Sequence, residues 1–427
     1  MQSSATPVRH VLSTGAILII QESHFNETVA LSGRLKAGGM YDPPNSQGCA
    51  NFVANMLMKG THRRTWEEIA EAIESVGANL NVNSNTELVS FEGRCLSKDF
   101  DRLLDVLSDI LQNPTFPTAE IEKHRRQVLS WFSAWEDDTD YVADRLLHES
   151  VYSENHPYHW CVHGTPQSIE QIEQQRLMAF HKAYYQPNSL ILVVVGDVEA
   201  GAVIEKVEHA MAGWKPDDNQ PTFEIPLVKD RDKQVRVKSM MDKSQANIAL
   251  GHKGISRFHP DCYAFDLMNR ILGGSAGIGR LFGNVRDVQG LAYSVWSSFT
   301  PSFGEGLFQA GAGVNPNNVD RAIDSILTQM RQLKSTGVSQ EELADAKNLV
   351  VGNFALALET NRGVAAVLAL AELFNLGLDY PARHASIYRS ITLEQVNEAA
   401  AKYLYPDQCC IAIAGPYQQP EATDGRI

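Results

Sequence analysis

Arg286 and Tyr293 lie seven residues apart in the segment RDVQGLAY. Converging on one point, a guanidinium and a phenolic hydroxyl can donate hydrogen bonds to a peptide carbonyl and to the oxyanion that forms when water attacks it. An Arg-x6-Tyr pair alone usually means a surface Arg and a core Tyr. The flanking glycine-rich turn, Arg280-Leu281-Phe282 and Gly290-Leu291-Ala292-Tyr293 favour the functional reading. A second polar pair, Asn51 and Asn55, is four apart in GCANFVANMLMKGT, which puts both on one face of a helix. Carboxamides are poor zinc ligands. Single amide oxygens serve hard cations, but no carboxylate lies between these two. They read as a polar face opposite the apolar Cys49, Phe52, Val53, Met56 and Leu57.

Two other signals carry less. His159 and His163 in ENHPYHWCVHGT are four apart, with His156 nearby, but Pro157 and Gly164 interrupt the helix that a metal pair needs. The run Gly273–Gly279 lacks the Lys and Ser/Thr of a phosphate-binding loop and reads as a turn.

The elements that must position the first pair follow from local chemistry. Arg286 ends a helix, Gly290 turns the chain and Leu291–Trp296 enters a strand. Regular alternation then places Tyr293 on the face of Leu291 and Val295. Elsewhere Ala16–Ile20 reads as a strand, Glu67–Val76 as an amphipathic helix and Ala78–Leu96 as a pair of strands. Val319–Lys334 and Ser339–Leu358 read as two further helices.

The chain repeats itself. HKAYYQPNSLILVVVGDV and AAKYLYPDQCCIAIAGPY share a plan in which Tyr184 and Tyr403 each lead a proline by three residues, Pro187 and Pro406. Gly196 and Gly415 then close the following apolar run in each copy. The expected architecture is α+β: two similar tandem domains, each a mainly antiparallel sheet packed with helices. Their expected spans are 1–215 and 236–417, with a linker at 216–235 and a flexible tail at 418–427.

The chain's 427 residues suffice for two such cores, and 44% hydrophobic with 21% charged residues is an ordinary globular balance. A net charge of −14 argues against nucleic acid or an anionic membrane as partner. Cys49, Cys95, Cys161, Cys262, Cys409 and Cys410 show no C-x-x-C spacing, so buried free thiols in a reducing compartment are expected. The N-terminal segment lacks the ordered features of a secretory leader, which points to a cytoplasmic protein.

The frame of Gly48–Thr61 resembles the active-site helix of the inverted zinc peptidases, the family of pitrilysin, insulin-degrading enzyme and mitochondrial processing peptidase. In that family this helix reads roughly G-x-A-H-F-x-E-H-M-x-F-K-G-T. Asn51 and Asn55 stand where the resemblance implies zinc ligands, and Ala54 stands for the general base. A third ligand, a Glu on a later helix, falls at Trp131, which shares a helical face with Val128 and Trp135. There it is expected to fill with apolar bulk the space of a metal. Leu272–Ser298 resembles the family segment whose Arg and Tyr face the zinc site from the opposite domain. The resemblance runs from Leu12-Ser13-Thr14-Gly15 to Gly415 and implies a processing-peptidase-like half-clamshell. It implies a chain inactive alone, holding no metal itself, that binds substrate as one subunit of a heterodimeric zinc metalloendopeptidase. A homologous partner would carry the zinc, and Arg286 and Tyr293 would bind the peptide. The rival expectations are an assembly protein, similar to the core subunits of respiratory cytochrome complexes, and a homodimeric peptide-binding module.

Overall fold

Among the described residues, eleven strands fall into two sheets in the computed structural model, which describes residues 6–217, 223–274 and 277–417. The expected tail at 418–427 lies outside the described residues, as do residues 218–222 of the expected linker and Ser275 and Ala276 of the glycine-rich run.

The first sheet is ordered β1 (Val8–Val11), β2 (Ile17–Glu22), β6 (Ile191–Gly196), β3 (Thr28–Leu35), β5 (Val89–Leu96) and β4 (Asn79–Ser84). Only β2 and β6 run parallel. The second sheet is ordered β7 (Val235–Ser239), β11 (Cys410–Ala414), β8 (Ala246–Lys253), β10 (Leu307–Val314) and β9 (Ala292–Phe299). Here only β7 and β11 run parallel. Leaving β1 aside, the first order matches the second strand for strand, with the parallel pair in the same place. The repeat in the sequence is therefore a repeat of the fold, and the α+β architecture holds.

The glycines that mark the repeat have a physical reason. Gly196 and Gly415 close β6 and β11 at φ of 146° and 131°. A Cβ at Gly196 would lie 2.1 Å from the Thr28 carbonyl oxygen, and one at Gly415 would lie 2.7 Å from Ala246 Cα. Only a residue without a side chain satisfies both demands.

The chain forms two compact units, and each draws on both halves of the sequence. One comprises Met1–Ser130, Trp160–Glu224 and Val351–Ser386, and the other Trp131–His159, Ile225–Val350 and Ile387–Ile427. In the first unit the helix Asn361–Leu373 packs on β3 and β6, where Ala365, Leu368 and Ala369 join Ile19, Val193 and Val195. In the second the helix Thr139–Val151 packs on β8 and β11, with Val142, Ala143 and Leu147 in one cluster with Ala249, Cys410 and Ala412. Alanines at these contacts let each helix backbone approach its sheet closely.

The helix expected over Glu67–Val76 spans Trp66–Glu74 and starts on a capping box between Thr65 and Glu68. The two later helices span Val319–Thr336 and Gln340–Ala357. All six cysteines are free thiols and five of them are buried. Among the described residues no single helix is long and apolar enough to cross a bilayer.

Candidate functional site

Arg286 and Tyr293 meet in the second unit through three departures from regular structure. Phe282–Val288 is a π-helix, and the Gln289 amide N–H closes its wide turn by donating to the Asn284 carbonyl at 3.1 Å. The turn is held from the side, because the Gln289 side-chain amide donates to Asn284 Oδ1 at 2.6 Å and to Ser325 Oγ at 2.7 Å. Gly290 then reverses the chain at φ 62°, with its N–H returned to the Arg286 carbonyl at 2.9 Å. Finally β9 enters on a bulge. Ala292 pairs with Val314 and Ser294 with Gly313, which leaves Tyr293 as the extra residue.

The bulge corrects one expectation. Leu291 and Val295 are 3% and 7% exposed, whereas Tyr293 is 86% exposed and does not share their face. Strict alternation would have buried it; the inserted residue breaks the alternation and turns the phenol to solvent. The Arg286 guanidinium carbon lies 5.3 Å from the Tyr293 ring centroid and 4.4 Å from that of Phe282. Its charged neighbour among the described residues is Asp287, at 3.9 Å. Aromatic faces hold the cation, and they do so without consuming its N–H donors.

The counterpart in the first unit is built the other way. The helix Cys49–Met56 starts on Asp42, whose two carboxylate oxygens accept from the Gly48 and Ala50 amides at 2.7 Å each. Burial outweighs the opposing pull of the two amides and leaves the Asp42 carboxyl raised to about 8. Along this helix Asn51 and Asn55 do meet, as their spacing requires. The Asn55 amide donates to the Asn51 carbonyl at 2.8 Å and to Asn51 Oδ1 at 3.1 Å. The same Oδ1 faces His163 Nδ1 at 3.1 Å. His124 sets its ring edge-on to Phe52, 4.6 Å between centroids. Burial pushes the His124 imidazole down to about 4, with Lys59 and His163 adding to the effect, so the ring is neutral at pH 7.

This donor set does not fit zinc. The two carboxamides and the Ala54 methyl offer neither an imidazole nor a carboxylate, and Asn51 Oδ1 is committed to Asn55 and His163. Ala54 is 1% exposed, so its methyl is packing. Trp131 is 37% exposed and lies in the second unit, its ring 6.1 Å from that of Trp135. It is not the buried bulk expected of it, because the helix Thr118–Trp135 turns Val128 and Phe132 inward instead.

His163 and His124 took no role from the sequence. His163 pairs across 112 residues of chain, a separation for which local spacing holds no signal. The histidines of 156–163 also go separate ways: His156 Nε2 faces the Pro226 carbonyl at 3.0 Å and His159 Nδ1 the Tyr152 carbonyl at 2.9 Å.

Two family models match this chain. One, described as insulinase (peptidase family M16), covers residues 17–159, and the other, described as peptidase M16 inactive domain, covers residues 171–350. The chain belongs to the M16 peptidase family. It is 26% identical over 414 residues to an uncharacterized zinc protease, YmxG, of Bacillus subtilis, covering 96% of this chain and 98% of that one. It is 25% identical to the mitochondrial-processing peptidase subunit beta of Bos taurus, over 90% of this chain and 79% of that subunit. Among solved structures, a peptidase M16 inactive domain from Pseudomonas fluorescens superimposes with a TM-score of 0.90 at 25% identity, covering 97% of this chain and all of that one. Two of these names speak of a zinc protease and a processing peptidase.

Proposed function

We propose that this M16 chain is the non-catalytic, substrate-binding subunit of a heterodimeric zinc metalloendopeptidase. It presents Arg286 and Tyr293 to a peptide whose hydrolysis is carried out by a homologous H-x-x-E-H partner. The observation that supports this reading most is the contrast between the two sites. The Asn51/Asn55 helix face is closed on itself, while Arg286 and Tyr293 project with donors that no described residue takes up.

The chemistry asked of the pair is modest and specific. A guanidinium and a phenol held together can donate to a peptide carbonyl in the ground state and grip its oxygen harder as negative charge develops there. Neither group needs to exchange a proton for that. A reducing compartment such as the cytoplasm suits the six free thiols.

The test is peptide cleavage by this chain alone, by a zinc-bearing homologue alone, and by the mixture. Activity that appears only in the mixture, falls on Arg286→Ala or Tyr293→Phe and leaves zinc content unchanged is the expected result. Cleavage that both substitutions leave untouched would sink the assignment.

A further inference from the structure

We propose that Phe282 is a positioning residue for this site: its ring and that of Tyr293 clamp the Arg286 guanidinium and aim its N–H donors at the peptide. The inference rests on the peptide-binding role proposed above and adds a third residue to it.

The geometry is the first support. The guanidinium carbon is 4.4 Å from the Phe282 centroid and 5.3 Å from that of Tyr293, both inside the roughly 6 Å reach of a cation–π contact. Phe282 is the nearer ring and is half-buried, following the fully buried Leu281, whereas Tyr293 stands in solvent. Phe282 is therefore the fixed wall of the clamp. Both it and Arg286 lie within Phe282–Val288, the π-helix that Asn284, Gln289 and Ser325 lock in place.

A second arginine in the same segment sharpens the point. Arg280 donates to both carboxylate oxygens of Glu342, at 2.7 and 2.8 Å, and to the Gly337 carbonyl at 2.8 Å. Three of its five N–H donors are committed, and they fasten the segment. Among the described residues the charged group beside Arg286 is Asp287, at 3.9 Å, with both side chains exposed, so that ion pair is weak. A carboxylate partner would have oriented Arg286 at the expense of the donors a peptide needs. An aromatic face orients the guanidinium plane and leaves the N–H groups at its edge available.

The experiment replaces Phe282 by pentafluorophenylalanine, which keeps the shape and reverses the charge on the ring face, and separately by Leu and by Tyr. Each chain is assembled with the zinc-bearing homologue, and each is also measured by 15N-arginine NMR on its own. The pentafluoro and Leu variants should lower kcat/KM about three- to tenfold while Tyr stays within about twofold of the parent. The pentafluoro effect should vanish in an Arg286→Gln background. In the chain alone, the Arg286 guanidinium protons should carry an upfield ring-current shift that Phe282→Leu removes and Phe282→Tyr retains. A pentafluoro variant as active as the parent, or an Arg286 signal without that shift, overturns the clamp. If Arg286→Gln by itself leaves cleavage unchanged, the peptide-binding reading fails and takes the clamp with it. Activity that needs Arg286 but ignores ring fluorination overturns the clamp alone.

Discussion

The two halves of this protein share one framework and carry polar sites of opposite character at different points along it. After β3 the chain passes through Cys49–Met56 and later returns along the edge strand β4; after β8 it passes through Cys262–Leu272 and returns along the edge strand β9. In the first half the polar groups of the helix turn on one another, with Asn55 donating to Asn51 and His163 closing the set. In the second half a π-helix and a bulge push Arg286 and Tyr293 toward solvent. A closed network commits its donors to stability, and an open one keeps them for a ligand. The duplicated frame is indifferent to which is built on it, so a closed polar network in one repeat need not disturb an exposed donor pair in the other.

The comparison breaks first if the halves prove to fold independently. The sheet containing β3 and β6 is covered by Asn361–Leu373, and the sheet containing β8 and β11 by Thr139–Val151, so each lacks its cover if the chain is divided near residue 220. Leu368 and Leu147 are fully buried in those clusters. Truncating one such Leu to Ala costs about 2–5 kcal/mol, so losing a whole covering helix removes much of the roughly 5–15 kcal/mol that holds a domain folded. Neither fragment alone should melt cooperatively, and the mixture should. Circular dichroism melts decide it: a cooperative transition in the isolated N-terminal fragment would make the halves independent.

The next largest contrast is in turnover. In the assembled peptidase, Arg286→Ala should cost ~2.7–4 kcal/mol of transition-state stabilisation, on the order of a hundredfold in kcat. Asn55→Ala in the same complex should leave kcat within about twofold, since that side chain bonds its own helix. Equal losses from the two would erase the distinction between closed and open sites.

The frame was far more legible in the sequence than its edges were. Strand runs, the amphipathic helix over Glu67–Val76 and the paired Tyr, Pro and Gly positions are local signals, and each sits where the backbone requires it. Gly196 and Gly415 are readable because the carbonyl or Cα they press against admits no side chain. The bulge at Tyr293 depends on its register against β10, and the π-turn is held by Ser325, 36 residues beyond Gln289. Neither has a period that a window of sequence displays. Which sheet a covering helix serves is equally hidden, because Ala365, Leu368 and Ala369 look the same whichever sheet they face.

A half-buried histidine in the first unit and a buried one in the second give a comparison that should come out even. His181 Nε2 faces the Leu111 carbonyl at 2.9 Å in the first unit, and His252 Nδ1 faces the Lys253 carbonyl at 2.7 Å in the second. Burial pushes each imidazole down to about 4. Unfolded histidine titrates near 6.5, so between about pH 6.5 and 4 the unfolded chain takes up the proton first. Stability is therefore full above pH 6.5 and falls as the solution is acidified toward 4, by roughly 3 kcal/mol per histidine. His252→Gln, which does not titrate, should be less stable than the parent in urea at pH 7.5 and should lose much of that deficit at pH 4.5. His181→Gln should behave alike; a pH-independent gap in either would mean that the ring is not held neutral.

The smallest expected effect tests the closed site directly. Asn51→Ala withdraws the Oδ1 that accepts from Asn55 and faces His163, and loss of such buried hydrogen bonds costs about 1–2 kcal/mol. Alanine's better helix propensity returns about 0.5 kcal/mol, leaving a net loss near 1 kcal/mol. Urea denaturation should register that loss while turnover in the assembled peptidase stays unchanged. The two readouts have to part company, because a hydrogen-bond network turned inward acts on folding and not on substrate. If Asn51→Ala instead cut turnover as Arg286→Ala does, the first-half helix would also be touching peptide, and stability and binding would no longer be divided between the two repeats.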